Sequence, residues 1–512
     1  MSVRSSRHLA RLAQEGVERR GDHPALLFEG HWRSSGELLQ RSARLATGFA
    51  ELGLVPGERV VVSMANCPEV TVSYQALWRA GLVATPAMFL LGAEDLRHVL
   101  ADSGARAVIT TPEFLEKVQE AAAGLPELRH VLCTEAPSTD VGAPVTTLAE
   151  LQQCEPGSIV DRDDDDLAAL LYTGGTTGRA KGVMLSHASL HYTGGASYRA
   201  SHRPGVVRSL GTLPLSHAYG LLVTVTGLHV VEPGFSVLLR WFDATTFLET
   251  VQDHQLQQSA LVPTMLQLLL ACPIEDYDLS SLQYLTSGGA PLPEDVERAF
   301  NRRLPGTSIR QGYGMTETAA LISSSPVGKE LAGSVGLPVP GTEVEIRDAD
   351  GTPLPAGEIG EVCVRSPGVM RGYWRAPEAT AAAIRDGWLH TGDVGYQNVN
   401  GYLFIVDRMK DLIIRGGFNV YPRDVEDALT EHPEVQIAGV VGARSERHGE
   451  EVVAFVSLTA GSTLTGERLV AWARERIGGY RYPREVHVVD AVPLTPVGKV
   501  DRKALRERLR GR

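Results

Sequence analysis

Four short segments of this 512-residue chain combine residue types that handle charge. Near the C-terminus, Pro493-Leu494-Thr495-Pro496-Val497-Gly498-Lys499 sets one lysine on a loop stiffened by proline and loosened by glycine. Such an arm can carry a cation into a distant site and withdraw it. Upstream, Tyr172-Thr173-Gly174-Gly175-Thr176-Thr177-Gly178-Arg179-Ala180-Lys181-Gly182 follows a strand pattern and precedes a helical one. Glycine lets backbone N–H groups close on an anion. Threonine hydroxyls add donors and Lys181 adds charge, a set suited to a polyphosphate. It is not a Walker loop, in which Ser or Thr follows the lysine. The bland alternative is a flexible surface loop.

The third segment is Gln311-Gly312-Tyr313-Gly314-Met315-Thr316-Glu317-Thr318. Tyr313 between two glycines could lay a flat ring against a purine. Glu317 offers a hard oxygen of the kind Mg²⁺ takes beside phosphate and water. A turn ending in a helix capped by Thr316 or Thr318 would explain the same residues. The fourth is Gly387-Trp388-Leu389-His390-Thr391-Gly392-Asp393-Val394-Gly395. A carboxylate in a glycine-flanked turn can accept from two ribose hydroxyls, or it can simply close an Asx turn.

These segments need a large scaffold. The length calls for two or more domains. From Arg59 to Thr110, β-branched runs (Arg59–Met64, Val83–Pro86, Ala107–Thr110) alternate with helical stretches (Cys67–Ala80, Ala93–Ser103), which implies a mostly parallel sheet covered on both faces. Leu167 to Tyr172 reads as another buried strand, after the acidic connector 161–166. Beyond Asp407 the character changes: a helix from Pro422 to Glu431, strands at Val435–Val441 and Glu451–Leu458, and a helix near Glu467–Ile477 make a small α+β unit. The expected division is a large N-terminal domain (1–407), a hinge (408–411) and a C-terminal domain (412–512). The fold class is therefore α/β with a small α+β appendage.

Composition excludes several functions. The net charge is −12, and the arginines are dispersed as on a solvated surface, so nucleic acid is not an expected partner. Five scattered cysteines without a CxxC pair argue against a zinc site or a disulfide framework. They fit a reducing cytoplasm, and the N-terminus lacks the apolar core of a leader. No apolar run is long enough to span a membrane.

Taken together, the four segments resemble those of the adenylate-forming superfamily of acyl-CoA synthetases, adenylation domains and luciferases, over roughly residues 10–507. Thr173–Gly182 resembles the family's phosphate loop, with Gly174 where serine is frequent and Ala180 where proline is usual. Asp407–Asp411 with Arg415–Pro422 resembles its hinge and following glycine loop. The resemblance implies ATP, Mg²⁺ and coenzyme A as reactants or cofactor. A carboxylic acid is joined to AMP with loss of pyrophosphate, and a thiol then displaces AMP. It further implies roles. Lys499 bridges the carboxylate and α-phosphate. Thr316 touches the α-phosphate, and Glu317 holds the metal. Thr173, Gly174, Gly175, Thr176, Thr177, Gly178 and Lys181 surround the pyrophosphate. Gln311, Gly312, Tyr313 and Gly314, with Gly289, Ala290 and Pro291, frame adenine, and Asp393 and Arg408 take the ribose. Lys410 is the pivot of a mobile C-terminal domain. Its rotation withdraws Lys499 and brings Gly416 and Gly417 to the thiol tunnel.

For the acid, the resemblance points to His217, Gly288, Gly289 and Gly312. Glycine at 312 leaves room for a ring or chain, and the lack of arginine there disfavours a dicarboxylic acid. The stretch 214–220 has no carboxylate for an α-amine. The expected substrate is a monocarboxylic aryl, alicyclic or medium- to long-chain fatty acid. The expected state is monomer or homodimer. Rival readings are a stand-alone ligase that loads the phosphopantetheine of a carrier protein in trans, and a catalytically silent nucleotide sensor.

Overall fold

A computed structural model of the chain describes residues 7–136, 145–173, 179–445, 447–477, 479–495 and 499–510. Gly174, Gly175, Thr176, Thr177 and Gly178 lie outside the described residues, as do Pro496, Val497 and Gly498.

Four sheets organise the described residues. The first runs, in order, through Thr146–Thr147, His130–Cys133, Ala107–Thr110, Arg59–Ser63, Val83–Pro86, Leu167–Thr173 and Lys181–Ser186. All its neighbours are parallel except the last pair. Val60, Val61 and Val62 are wholly buried, as expected of a parallel strand covered on both faces. The helices between these strands are set locally. Pro68 opens Pro68–Arg79 at a position where no N–H is needed. Ser34 caps Ser35–Glu51 by accepting from the Glu37 N–H at 3.1 Å.

The second sheet has a parallel centre made of Pro24–Phe28, Phe235–Leu238, Arg208–Gly211, Gln258–Leu261, Tyr284–Ser287 and Ser308–Tyr313, with antiparallel edges. The third sheet is antiparallel and includes Gly360–Arg365, Trp388–Gln397 and Leu403–Arg408. The fourth, built from residues beyond 412, packs Pro422–Thr430 and Gly466–Ile477 over Val435–Ser445 and Gly449–Leu458 around its own core. This is the large domain of parallel-rich sheets and the small C-terminal domain that the alternation implied.

Two local expectations are corrected. Lys181 opens a strand, not a helix: Val183 and Leu185 face the core and pair back on Leu167–Thr173, and the helix starts only at His187. Asp393 sits in the strand Trp388–Gln397, not in a turn. Its glycine serves a bulge: Gly392 has φ +70°, and the register slips opposite Glu361 and Cys363.

The first helix, Leu9–Arg20, is docked by a histidine pair. His8 and His187 stack with centroids 4.4 Å apart, and His187 Nδ1 accepts from the Leu9 N–H at 3.3 Å. Burial, then Arg11, lowers the His8 pKa to about 4; burial, then His8, lowers that of His187 to about 3. Both are neutral when folded, so between pH 6.5 and 4 the unfolded chain binds more protons. Stability should be full above pH 6.5 and fall by a few kcal/mol as pH drops to 4. Urea midpoints across that range check this, and His187→Gln should flatten the slope.

Candidate active site

One continuous cavity of about 1310 Å³ is lined by residues of both domains. Its floor comes from the parallel sheet. Gly312 and Gly314 lie where Ser308–Tyr313 ends and the chain turns. A Cβ on Gly314 would come within 2.3 Å of the Ala320 backbone, so only glycine fits. Thr316–Thr318 then makes a single 3₁₀ turn rather than a capped helix, and Ala319 and Ala320 follow with φ of +48° and +68°. Two successive non-glycine residues in the left-handed region store strain of the kind found at functional sites.

The strained turn buries Glu317 at 7% exposure. Its Oε1 accepts from the Tyr373 hydroxyl at 2.8 Å. Lys181 Nζ stands 5.2 Å from the centre of the same ring. Tyr373 thus ties the phosphate-side lysine to the buried carboxylate, and sequence reasoning missed it. Ala180, where proline is usual in the resembling family, has its carbonyl held by His98 Nε2 at 2.8 Å.

Asp393 is 4% exposed and engaged on both oxygens. Oδ2 accepts from the Tyr313 hydroxyl at 2.6 Å, and Oδ1 lies 3.1 Å from Arg408 Nε. Tyr313 is therefore held by its tip, with burial and then Asp393 driving its pKa up. A carboxylate offers about four lone-pair sites, so Asp393 keeps acceptor capacity for hydroxyls. Under the bulge, Glu361 Oε1 accepts from the Gly392 N–H at 3.1 Å while Oε2 meets His390 Nδ1 at 2.7 Å. Cys363 Sγ lies 3.4 Å from the same nitrogen.

His217 ends the segment before the helix Ala218–Gly227 and caps it. Its Nδ1 accepts from the Tyr219 N–H at 3.2 Å, so in the neutral ring the proton resides on Nε2. Burial, then the charge of Lys499, lowers its pKa to about 4. Lys499 itself is lowered to about 8 by burial and then Arg408, with Asp393 opposing and Lys410 adding to the effect. Lys499, His217, Arg408 and Asp393 all line the cavity. Lys410 also lines the cavity, and burial, then Arg408, lowers its pKa.

Gly288 packs its backbone against the Tyr219 ring, where a Cβ would sit 3.2 Å from Cε1. Gly289, with φ +81°, leads into Ala290 and Pro291 on the cavity rim. The Gln311 amide donates to Glu297 Oε2 at 3.2 Å. Gly416 and Gly417 are not brought to the cavity. They form the exposed turn between Ile413–Arg415 and Phe418–Val420, with φ of +58° and +83°.

Around the junction, Asp411 is buried and pairs with Arg506 at 2.7 Å and Arg502 at 3.7 Å. Arg423 donates to Ile405 O at 2.9 Å and to Leu292 O at 3.4 Å. The small domain is thereby latched over the cavity with its lysine inside.

A cavity shared by two domains, each contributing cations to a nucleotide-sized space, defines an adenylate-forming enzyme by class. Residues 13–374 match the model of the AMP-binding enzyme family, and residues 424–499 match that of the AMP-binding enzyme C-terminal domain. The chain belongs to this family. It is 39% identical over 476 residues to a feruloyl-CoA synthase of Amycolatopsis sp, covering 92% of this chain and 93% of that protein. It is 33% identical over 529 residues to a long-chain-fatty-acid–CoA ligase of Bacillus subtilis (strain 168), covering 98% and 94%. Among solved structures, ATP-bound MatB from Rhodopseudomonas palustris superposes with a TM-score of 0.87 at 31% identity, covering 98% of each chain. No helix among the described residues is long and apolar enough to cross a membrane.

Proposed function

We propose that, within the class of AMP-forming acid–thiol ligases to which the chain belongs, it joins a monocarboxylic acid of aryl, alicyclic or medium- to long-chain fatty type to coenzyme A. The observation that carries the choice of acid is the space at Gly312. A Cβ there would meet only Ser323 O, at 3.8 Å, so the cavity continues past the point where a larger residue would close it. The relatives named for feruloyl and long-chain fatty acyl groups support an acid of this size.

In the first step a carboxylate oxygen attacks the α-phosphorus of ATP, the bond to pyrophosphate breaks, and acyl-AMP forms. Two anions must meet, so positioned cations supply the electrostatic stabilisation. Lys499 neutralises both at the point of attack, with Thr316 on the α-phosphate and Lys181 with Thr173 on the leaving pyrophosphate. Asp393 and Arg408 hold the ribose. The Gly289-Ala290-Pro291 edge and Tyr313 bound the adenine. His217, a cavity-lining residue whose neutral ring carries its proton on Nε2, is the donor on the acyl side in this reading. In the second step a thiol sulfur attacks the carbonyl carbon, the C–O bond to AMP breaks, and the thioester leaves. For that step the small domain turns about Lys410, and the Gly416-Gly417 turn replaces Lys499 at the cavity.

Mg²⁺ fits the donor set: Glu317 is buried, and among the described residues only its Oε1 takes a hydrogen bond, leaving a hard oxygen free. When bound it supplies charge neutralisation on the phosphate oxygens.

Gly312→Leu tests the acid reading. The residue has ordinary φ and open space, so folding should survive, while kcat/KM for octanoate or benzoate should fall at least about tenfold relative to propionate. ATP–pyrophosphate exchange across an acid panel reads this. A wild-type enzyme that prefers acetate to every larger acid would overturn the reading.

A further inference from the structure

The segment Met370-Arg371-Gly372-Tyr373-Trp374 lies outside the helices and sheet strands, yet it is fastened along its length. On one side the Met370 N–H donates to Glu317 O at 2.8 Å, on the strained turn. On the other, the Arg371 N–H donates to Met184 O at 2.9 Å and the Met184 N–H to Gly372 O at 3.0 Å. The Trp374 N–H donates to Gly182 O at 2.7 Å. The segment is thus a strap between the turn that carries Glu317 and the strand that begins at Lys181. Tyr373 pairs with Val183 across that seam. Its own N–H donates to Thr380 Oγ1 at 2.8 Å, and a Cβ on Gly372 would come within 2.7 Å of the same threonine.

Those bonds fix the backbone from which Tyr373 reaches the cavity, which it lines together with Glu317 and Lys181. Its hydroxyl donates to Glu317 Oε1 at 2.8 Å, and Lys181 Nζ stands over its ring, 5.2 Å from the centre. The terminal torsion of a glutamate is soft, so a carboxylate without a partner turns freely. One donor on Oε1 sets the plane of the group and leaves Oε2 without a hydrogen bond among the described residues. An ammonium within about 6 Å of a tyrosine face is attracted to it.

We propose that Tyr373 is a positioning residue for the first half-reaction: its hydroxyl orients the Glu317 carboxylate for the metal, and its ring holds the Lys181 ammonium for the pyrophosphate. The inference rests on the acid–thiol ligase reading, with Mg²⁺ at Glu317, and deepens it. Two parts of one side chain serve two charges, so substitution can separate them.

The test is the Kd of α,β-methylene-ATP, which cannot form acyl-AMP, measured by calorimetry with Mg²⁺ and again with EDTA. The outer partner of a metal-binding carboxylate is commonly worth about ten- to a hundredfold in metal affinity. Tyr373→Phe should therefore weaken binding at least about tenfold in the Mg²⁺ arm and less than about threefold in the EDTA arm. On a Glu317→Gln background the same change should cost less than about twofold in the Mg²⁺ arm. Inorganic pyrophosphate, titrated in EDTA, reads the ring. Tyr373→Phe keeps it and should bind as wild type does, whereas Tyr373→Leu should bind about two- to fivefold more weakly. Unchanged pyrophosphate affinity in the leucine variant overturns the lysine half of the proposal. Equal weakening of both nucleotide arms by Tyr373→Phe, or none in either, makes Tyr373 a scaffold residue and overturns the metal half. Failure of both single variants to fold overturns the whole, as does wild-type binding that Mg²⁺ does not strengthen. Wild-type enzyme that binds neither the nucleotide nor pyrophosphate would instead overturn the ligase reading itself.

Discussion

Lys499→Ala should lower the rate of acyl-adenylate formation by about a hundredfold or more, while thiolysis of preformed acyl-adenylate stays within a few-fold of wild type. The size follows from removing one preorganised charge from a site where negative charge gathers, worth roughly 3 kcal/mol. Lys499 lines the cavity together with His217 and Arg408. Gly417→Leu should show the opposite split. In the exposed turn at φ +83° a leucine adds about 1–2 kcal/mol of strain, which the small domain can bear, but its bulk would obstruct the thiol once the turn reaches the cavity. Adenylation by this variant is therefore its own folding control. Folded variants that both lost both steps to the same degree would refute the alternation. Because burial and Arg408 bring Lys499 to about 8, and the cation is the active form, kcat/KM for adenylation should decline as pH rises through about 8. Lys499→Arg should remove that alkaline limb.

Asp393→Ala should raise KM for ATP and cut kcat/KM for ATP by roughly ten- to a hundredfold, with KM for the acid little changed. The carboxylate does two things at once. It pairs with Arg408 and holds the Tyr313 hydroxyl at 2.6 Å, and it is the acceptor proposed for the ribose. Hydrogen bonds to charged groups are worth about 1.5–3 kcal/mol each, and its removal also leaves a buried phenol unpaired. Steady-state kinetics with ATP and acid varied separately read the split. Equal effects on both substrates would place Asp393 in the scaffold rather than the nucleotide site.

The parts of the site that sequence made legible are those built from contiguous residues. Gly314 had to be glycine because the chain doubles back on Ala320, and Lys499 announced itself by its loop. The parts that stayed hidden depend on distant segments. Tyr373 acquires meaning only when folding brings it to Glu317 and Lys181. Arg310 was read with the dispersed surface arginines; its burial follows from the strand periodicity that puts it on the face of Gly312, and a period-2 reading of Ser308–Tyr313 could have flagged it. Asp393 was assigned to a turn because glycines flank it. The structure uses one of those glycines for a bulge, since Trp388, Leu389 and Val394 all have apolar surface to bury in the sheet. The layered fold was readable because buried β-branched runs and helices alternate regularly from Arg59 to Thr110.

The moorings on either side of the junction confine any swivel. Arg408 is tied to Asp393 in the large domain, and Asp411 is tied to Arg502 and Arg506 in the small one. Only Met409 and Lys410 lie between the anchors, with two soft backbone torsions apiece. A quarter-turn or more of an entire domain would have to be wound into those few bonds. If the small domain turns as proposed, so short a joint would resist sideways sway, and the lysine and the glycine turn would arrive along one fixed arc instead of searching for the cleft.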